Sequence, residues 1–311
     1  MTNFLTVALQ VAILFVLIGV GALARRVRLL DEKAVAGMVN LLILVVTPAL
    51  IVDVFQRPFD PSTLRQFALA FPIAFAVHFA LILIACLTAR GDARRRPVLK
   101  LAMVFSNAGF MGIPLEQAIL GADGVFYGIV YVATFNLFIW SWGILAMRER
   151  KGAGEGFPWK AVVNPGTVGL AVGFPLFALS LKLPAFLGEP VHHLANLNTP
   201  LAMVAIGFYL AGAKLGPVLR SGAAHLAAAI RLLVFPLLFV GVLWLFRGAL
   251  DRTMALSLVV GVSAPVAAMV PMFAAKFGRD VDAAVGLVSG TTLLSVLTMP
   301  LVIAIALEVL P

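Results

Sequence analysis

Ser106-Asn107-Ala108-Gly109-Phe110-Met111-Gly112-Ile113-Pro114-Leu115 interrupts an apolar run long enough to cross a lipid bilayer. Two glycines, a proline and an asparagine are poor material for a continuous helix. An interior proline removes one backbone hydrogen bond and crowds the preceding turn, at a cost of about 3 kcal/mol. In hydrocarbon an unpaired amide or carbonyl is costlier still, so broken backbone persists there only against protein or a water-filled cavity. The stretch therefore reads as a helix break that lines a binding site.

The rest of the chain supports a membrane setting. Of 311 residues, 62% are hydrophobic and 12% charged, and the mean hydropathy is +1.07. Soluble domains carry about 25% charged residues. The formal charge of +9 does not point to nucleic acid, because the basic residues sit in short clusters between apolar runs. Cys86 stands alone inside such a run, which excludes an intramolecular disulfide and a cysteine-rich metal site. Met1 to Gln10 carries no basic residue, and the apolar segment runs on to about Ala24, so it reads as a first span and not a cleaved leader.

A span needs about 20 apolar residues. Ten stretches qualify: 4–24, 35–55, 67–89, 98–120, 124–147, 161–182, 193–213, 223–246, 254–275 and 282–308. The expected fold is an all-α polytopic membrane protein. Of the 23 Lys and Arg, 18 fall on the side of the loops that follow the odd-numbered spans, counting Arg231 with the seventh. The positive-inside rule then places that side in the cytoplasm and both termini outside, in a cell (inner) membrane. The expected organisation is a first five-helix repeat over 1–147, a cytoplasmic linker over 148–160, and a second repeat over 161–311.

With five spans before the linker, the second set starts from the opposite face, so related halves form an inverted repeat. Ser106 and Pro114 recur as Ser263 and Pro271 at an offset of 157. Thr47-Pro48 and Thr199-Pro200 form a second pair, in spans 2 and 7. Phe71-Pro72 and Phe235-Pro236 form a third, in spans 3 and 8. Matched interrupted spans in inverted halves are the sequence pointer to a secondary-transporter site. Each break exposes N–H groups at one stub and carbonyls at the other, equivalent to about half a charge of opposite sign. If spans 4 and 9 cross, the N-terminal stubs attract an anion and the carbonyl stubs a cation.

Asn107 to Leu115 (NAGFMGIPL), Pro265 to Phe277 (PVAAMVPMFAAKF) and Ala202 to Lys214 resemble the auxin efflux carrier family. That family includes plant auxin exporters and bacterial permeases for malate, malonate and related acids. The likeness covers essentially all ten spans, and the short central linker resembles the bacterial branch. It implies two inverted five-helix repeats, a scaffold part and a transport part holding crossed helices 4 and 9, an organic anion at the crossing, and a dimer. On the family motif Asn107 and Pro114 match the crossover positions of one side and Pro271 that of the other. Ala264 stands where the second asparagine would be, so the halves do not contribute equally.

The candidate substrate-binding residues are Ser106, Asn107, Gly109, Gly112, Pro114, Ser263, Pro265, Pro271, Thr47, Thr199 and Asn136. Each has a plainer reading. Asn107 serves equally as a helix cap, the prolines as architecture, and the threonines as partners of freed carbonyls. Thr134, Asn136, Thr291 and Thr292 line a cavity or bond between helices. Ionisable residues inside spans are functional candidates by default. They are Asp53, near an outer end; Glu116, expected to face an outer vestibule; His78, mid-span; Arg231, near an inner end; and Lys276, expected to snorkel.

Positions 106–114 and 263–271 hold no carboxylate, which favours an anion or neutral substrate over a proton-exchanged cation. His192 and His193 are expected in an outer loop, and no His spacing resembles a zinc site, so an enzyme is disfavoured and no cofactor is expected. The leading reading is a permease for small organic acid anions such as malate or malonate. A sodium-coupled symporter of bile-acid-type architecture and a channel are the alternatives. A coupling Na+ or H+ stays open.

Overall fold

The computed structural model describes residues 4–148, 165–212 and 221–310. Most of the expected linker and residues 161–164 of the sixth expected span lie outside the described residues, as do Lys214 and both chain ends.

Among the described residues the regular elements are helical, apart from one isolated β-bridge. In chain order the first seven helices are α1 (Phe4–Arg26), α2 (Glu32–Leu41), α3 (Thr47–Phe55), α4 (Pro61–Thr88), α5 (Arg96–Val104), α6 (Ile113–Phe138) and α7 (Ile144–Met147). The remainder are α8 (Pro165–Ala178), α9 (Ala185–Asn196), α10 (Asn198–Ala211), α11 (Gly222–Ala229), α12 (Phe235–Leu245), α13 (Arg252–Ser263), α14 (Val270–Lys276) and α15 (Val281–Val309). Widened π turns occupy Leu42–Val46, Ala108–Gly112, Ile139–Gly143 and Ile230–Val234.

Polar residues at the helix ends fix where several helices start. Asp31, Asp60, Ser221, Asp251 and Asp280 cap α2, α4, α11, α13 and α15 by accepting from the backbone N–H three residues on. The Ser62 and Thr63 hydroxyls donate to Asp60 and hold its carboxyl down to about 2, so that cap stays ionised.

Prolines explain three of the four π turns among the described residues, which lead directly into Pro48, Pro114 and Pro236. Proline donates no hydrogen bond, and its ring crowds the carbonyl four residues back. Widening the preceding turn by one residue relieves that clash without ending the helix. Phe71-Pro72 and Phe235-Pro236, alike in sequence, sit in different backbones: Pro72 lies inside continuous α4, whereas Pro236 follows a π turn.

Among the described residues, seven helical stretches are long and apolar enough to cross a membrane. One of them, Ala108–Met147, has 40 residues, or about 60 Å if straight, twice the ~30 Å hydrocarbon core. Gly121 breaks it with φ 67° and ψ −158°, a left-handed conformation that glycine adopts without a Cβ penalty. Twelve residues along a straight helix span about 18 Å, yet a Cβ on Gly128 would collide with the Glu116 carboxylate. The chain therefore turns back at Gly121, and the fourth and fifth expected spans join without a polar loop. α8 and α13 are shorter apolar helices.

The loop expected around His192 and His193 is instead helix α9. Pro190, Glu189 and two histidines look like loop chemistry, but contacts with α3 override that local signal. His192 Nδ1 lies 3.0 Å from Asp53 Oδ2, and the Leu183 N–H donates to Gln56 Oε1 at 2.9 Å. α9 runs on through Leu197, whose backbone stays helical, into α10, and Ala185–Ala211 together form one of the seven apolar stretches.

The helices pack as two groups that cut across the sequence halves. α1–α3 pack with α8–α10, and α4–α7 pack with α11–α15. The groups meet where α1 touches α6 and α15, α3 touches α6, and α10 runs beside the Ala108–Gly112 turn. Within the first group, a Cβ added to Gly21 would collide with the Val204 carbonyl, and one on Gly207 with the Ile18 carbonyl. α1 and α10 thus touch backbone to backbone, the small-residue contact that holds helices together where lipid removes the hydrophobic drive. Outward, Leu5, Leu9, Leu83, Leu87, Leu245 and Leu297 are exposed, an apolar exterior suited to lipid.

Gly207→Val forces α1 and α10 apart. Overpacking costs about 1–3 kcal/mol, so the thermal midpoint of the purified protein in detergent is expected to fall by several degrees. An unchanged midpoint would refute the backbone contact.

Candidate functional site at the helix crossing

The two interrupted stretches pair with each other. The Asn107 N–H donates to the Pro265 carbonyl at 2.6 Å, and the Ala267 N–H donates to the Phe105 carbonyl at 2.9 Å. These bonds flank an antiparallel bridge between Ser106 and Val266. The first break, 105–107, follows α5, and the second, 264–269, lies between α13 and α14. Each break thus satisfies two backbone groups of the other, away from water.

Side chains take up further backbone groups around the breaks. Ser106 Oγ donates to the Gly261 carbonyl at 2.7 Å and lies 3.4 Å from the Tyr131 hydroxyl. Ser263 Oγ donates to the Val260 carbonyl at 3.1 Å. Arg231 has no exposed surface; its Nη1 donates to the Met103 and Val104 carbonyls, both at 3.2 Å, and its Nη2 to the Val262 carbonyl. Thr291 Oγ1 accepts from the Val266 N–H at 3.1 Å and donates to the Leu287 carbonyl at 2.7 Å.

The half-helix N-termini are treated differently. Neither the Ala108–Gly112 turn that leads into α6 nor the start of α14 has a side-chain cap. Asn107 does not cap, although it precedes the turn and is 95% buried. Only its backbone carbonyl is engaged there, by the Met111 and Gly112 N–H groups at 2.9 and 3.2 Å. Beside it, Gly109 is exposed, and a Cβ built there meets nothing within 4 Å. An uncapped N-terminus, a buried amide and open space occur together.

The other candidates fall into place around this point. Gly112 and Pro114 are buried, with Gly112 close against the Gly261 backbone. Pro265 supplies the carbonyl that holds Asn107, and half-buried Pro271 opens α14. Ala264 is fully buried at the end of α13. Thr199 lies in the first turn of α10, which borders the crossing. Thr47 starts α3, whose next residue, Pro48, packs on Gly169 of α8. Asn136 spends its amide on the Val132 carbonyl of its own helix at 3.0 Å, and Thr292 bonds the Val288 carbonyl.

Two expectations need correction. Glu116 does not face a vestibule: it is 1% exposed, wedged against Gly128 and beside Ser257, with Oε2 unpartnered among the described residues. A buried carboxylate thus stands two residues after Pro114, just beyond positions 106–114. Arg231 does not lie at a loop; it reaches the centre of the crossing. An arginine within an apolar span was the available signal, masked by counting it among loop charges. His78 is buried, stacked on Phe138 at 4.9 Å, with Nδ1 2.8 Å from the Ala74 carbonyl. Lys276 is exposed.

The sequence pattern of the membrane transport protein family matches residues 6–303. The chain belongs to that family. It is the auxin efflux carrier family indicated by the crossing motifs. An uncharacterised transporter of Methanothermobacter thermautotrophicus is 27% identical over 293 residues, covering 92% of this chain and 94% of the relative.

Thr291→Val leaves the Val266 N–H unpaired inside the protein, a loss worth about 1–3 kcal/mol. The thermal midpoint is expected to drop for Thr291→Val and to stay near wild type for Thr291→Ser. Equal midpoints for both variants would refute the bond's role.

Proposed function

We propose that this protein is a secondary transporter that moves small organic acid anions, such as malate or malonate, across the cell membrane by alternating access. In this reading ten spans form two inverted repeats, 1–147 and 161–311, joined by a cytoplasmic linker, with the substrate at the crossing. Membership of a transport family supports the general activity. The observation that carries the anion is the uncapped N-terminus of the Ala108–Gly112 turn and α6 beside buried Asn107. Helix N-termini present free N–H groups and about half a positive charge. The Asn107 amide adds a donor that reads a carboxylate without the cost of a buried lysine.

The second break contributes less. It has Ala264 in place of an asparagine, and α14 is only seven residues long. Substrate is therefore anchored on the Asn107 side. The two packing groups supply parts that can rock against each other, the motion by which such carriers expose a fixed site alternately to each face.

In proteoliposomes, Asn107→Ala is expected to lower malonate or malate uptake about tenfold or more, the loss of one hydrogen bond to a charged group. Membrane expression is expected to stay near wild type, and undiminished uptake would sink the assigned anchor. Selective ligand binding raises stability by about 2.7 kcal/mol at a ligand concentration 100 times Kd. A thermal-shift screen of mono- and dicarboxylates is accordingly expected to raise the midpoint for at least one of these acids. No shift across the series would count against the substrate class.

A further inference from the structure

Two helices, α5 and α13, end at the crossing, and both direct carbonyls toward its centre. A helix C-terminus carries about half a negative charge, so the pair amounts to about one negative charge in a low-dielectric setting. In carriers with broken helices, such C-terminal ends coordinate the coupling cation. Here that position is filled from within the chain. The Arg231 guanidinium donates to Met103 and Val104 at the end of α5 and to Val262 at the end of α13.

Three features distinguish this from incidental packing. Arg231 is fully buried, and its acceptors are backbone carbonyls of the two half-helix ends and not a carboxylate. It sits on the Ile230–Val234 π turn, where the backbone widens before Pro236. A fixed fork of N–H donors suits carbonyls at two helix ends better than the point charge of a lysine does. The titratable side chains beside it are Tyr131 and His78, and no carboxylate among the described residues pairs with it.

We infer that Arg231 is a tethered cation occupying a latent cation site at the helix crossing, so that removing its side chain opens a site for a small monovalent cation. The carbonyl ends are neutralised permanently, while the N-terminal ends on the other side of the crossing stay free for an anion. This rests on the transporter reading for its flux arm only; the stability arm needs no substrate.

The test compares wild type with Arg231→Ala and Arg231→Lys. Thermal midpoints of the purified, substrate-free proteins are measured in choline chloride, with added sodium chloride or low-millimolar guanidinium chloride. Arg231→Ala is expected to lose about 5 °C or more in choline and to recover part of that loss with guanidinium or sodium. Wild type is expected not to respond, and Arg231→Lys to fall between the two. An Arg231→Ala midpoint equal to wild type, or one unmoved by either cation, would overturn the inference. If Arg231→Ala does not fold, Arg231→Lys carries the same comparison. Malonate uptake by wild-type proteoliposomes is expected to be equal in sodium and choline, and a sodium requirement would equally overturn the inference. Absence of malonate uptake in both media, with the stability pattern intact, counts against the substrate assignment alone.

Discussion

Backbone hydrogen bonding at the crossing is the constraint on which the rest of this protein depends. A chain that breaks two helices inside an apolar body must find partners there for several amides and carbonyls, since water and lipid offer none. The two breaks solve part of the problem for each other, through the bridge between Ser106 and Val266. Ser106, Ser263, Arg231 and Thr291 supply the remaining partners described. Most polar side chains near the centre are thereby committed to architecture. Asn107, buried and without a capping role, stands apart from them.

The same accounting separates the two ends of each half-helix. Carbonyl ends are neutralised by an arginine and two hydroxyls, whereas N–H ends are left uncapped. At the outer ends the pattern is reversed: Asp31, Asp60, Asp251 and Asp280 are spent on N-termini. Acidic residues are scarce in this chain, at 14 of 311, and four of them fix where helices begin. Inside the protein, by contrast, the described half-helix N-termini at the crossing keep their N–H groups without a side-chain cap.

Much of this was legible in the sequence because hydropathy and proline act locally. The span limits 35–55, 223–246 and 282–308 fall within a few residues of Glu32–Phe55, Gly222–Leu245 and Val281–Val309. The repeat of serine and proline at one offset correctly singled out the two stretches that pair. The gap between the expected spans 98–120 and 124–147 likewise falls on Gly121, where one left-handed glycine makes the reversal in place of a longer polar loop. Helix α9 escaped notice because Asp53 and Gln56, far away in sequence, hold it. Arg231 and Glu116 were misplaced for a shared reason. Charge near a span end is ordinarily solvated, and only tertiary contacts show that these two point inward.

The seam between α1 and α10 has a mechanical consequence. Where glycine brings one helix against a neighbour's carbonyls, as at Gly21 and Gly207, no long side chain is available to bend and absorb a shift. Sliding or rolling would drive backbone into backbone, so these two helices behave as a single rigid beam. Compliance must then reside at the boundary between the two packing groups, where α1 meets α15 and α3 meets α6. A contact between two backbones thereby bears on which surfaces are left to shear.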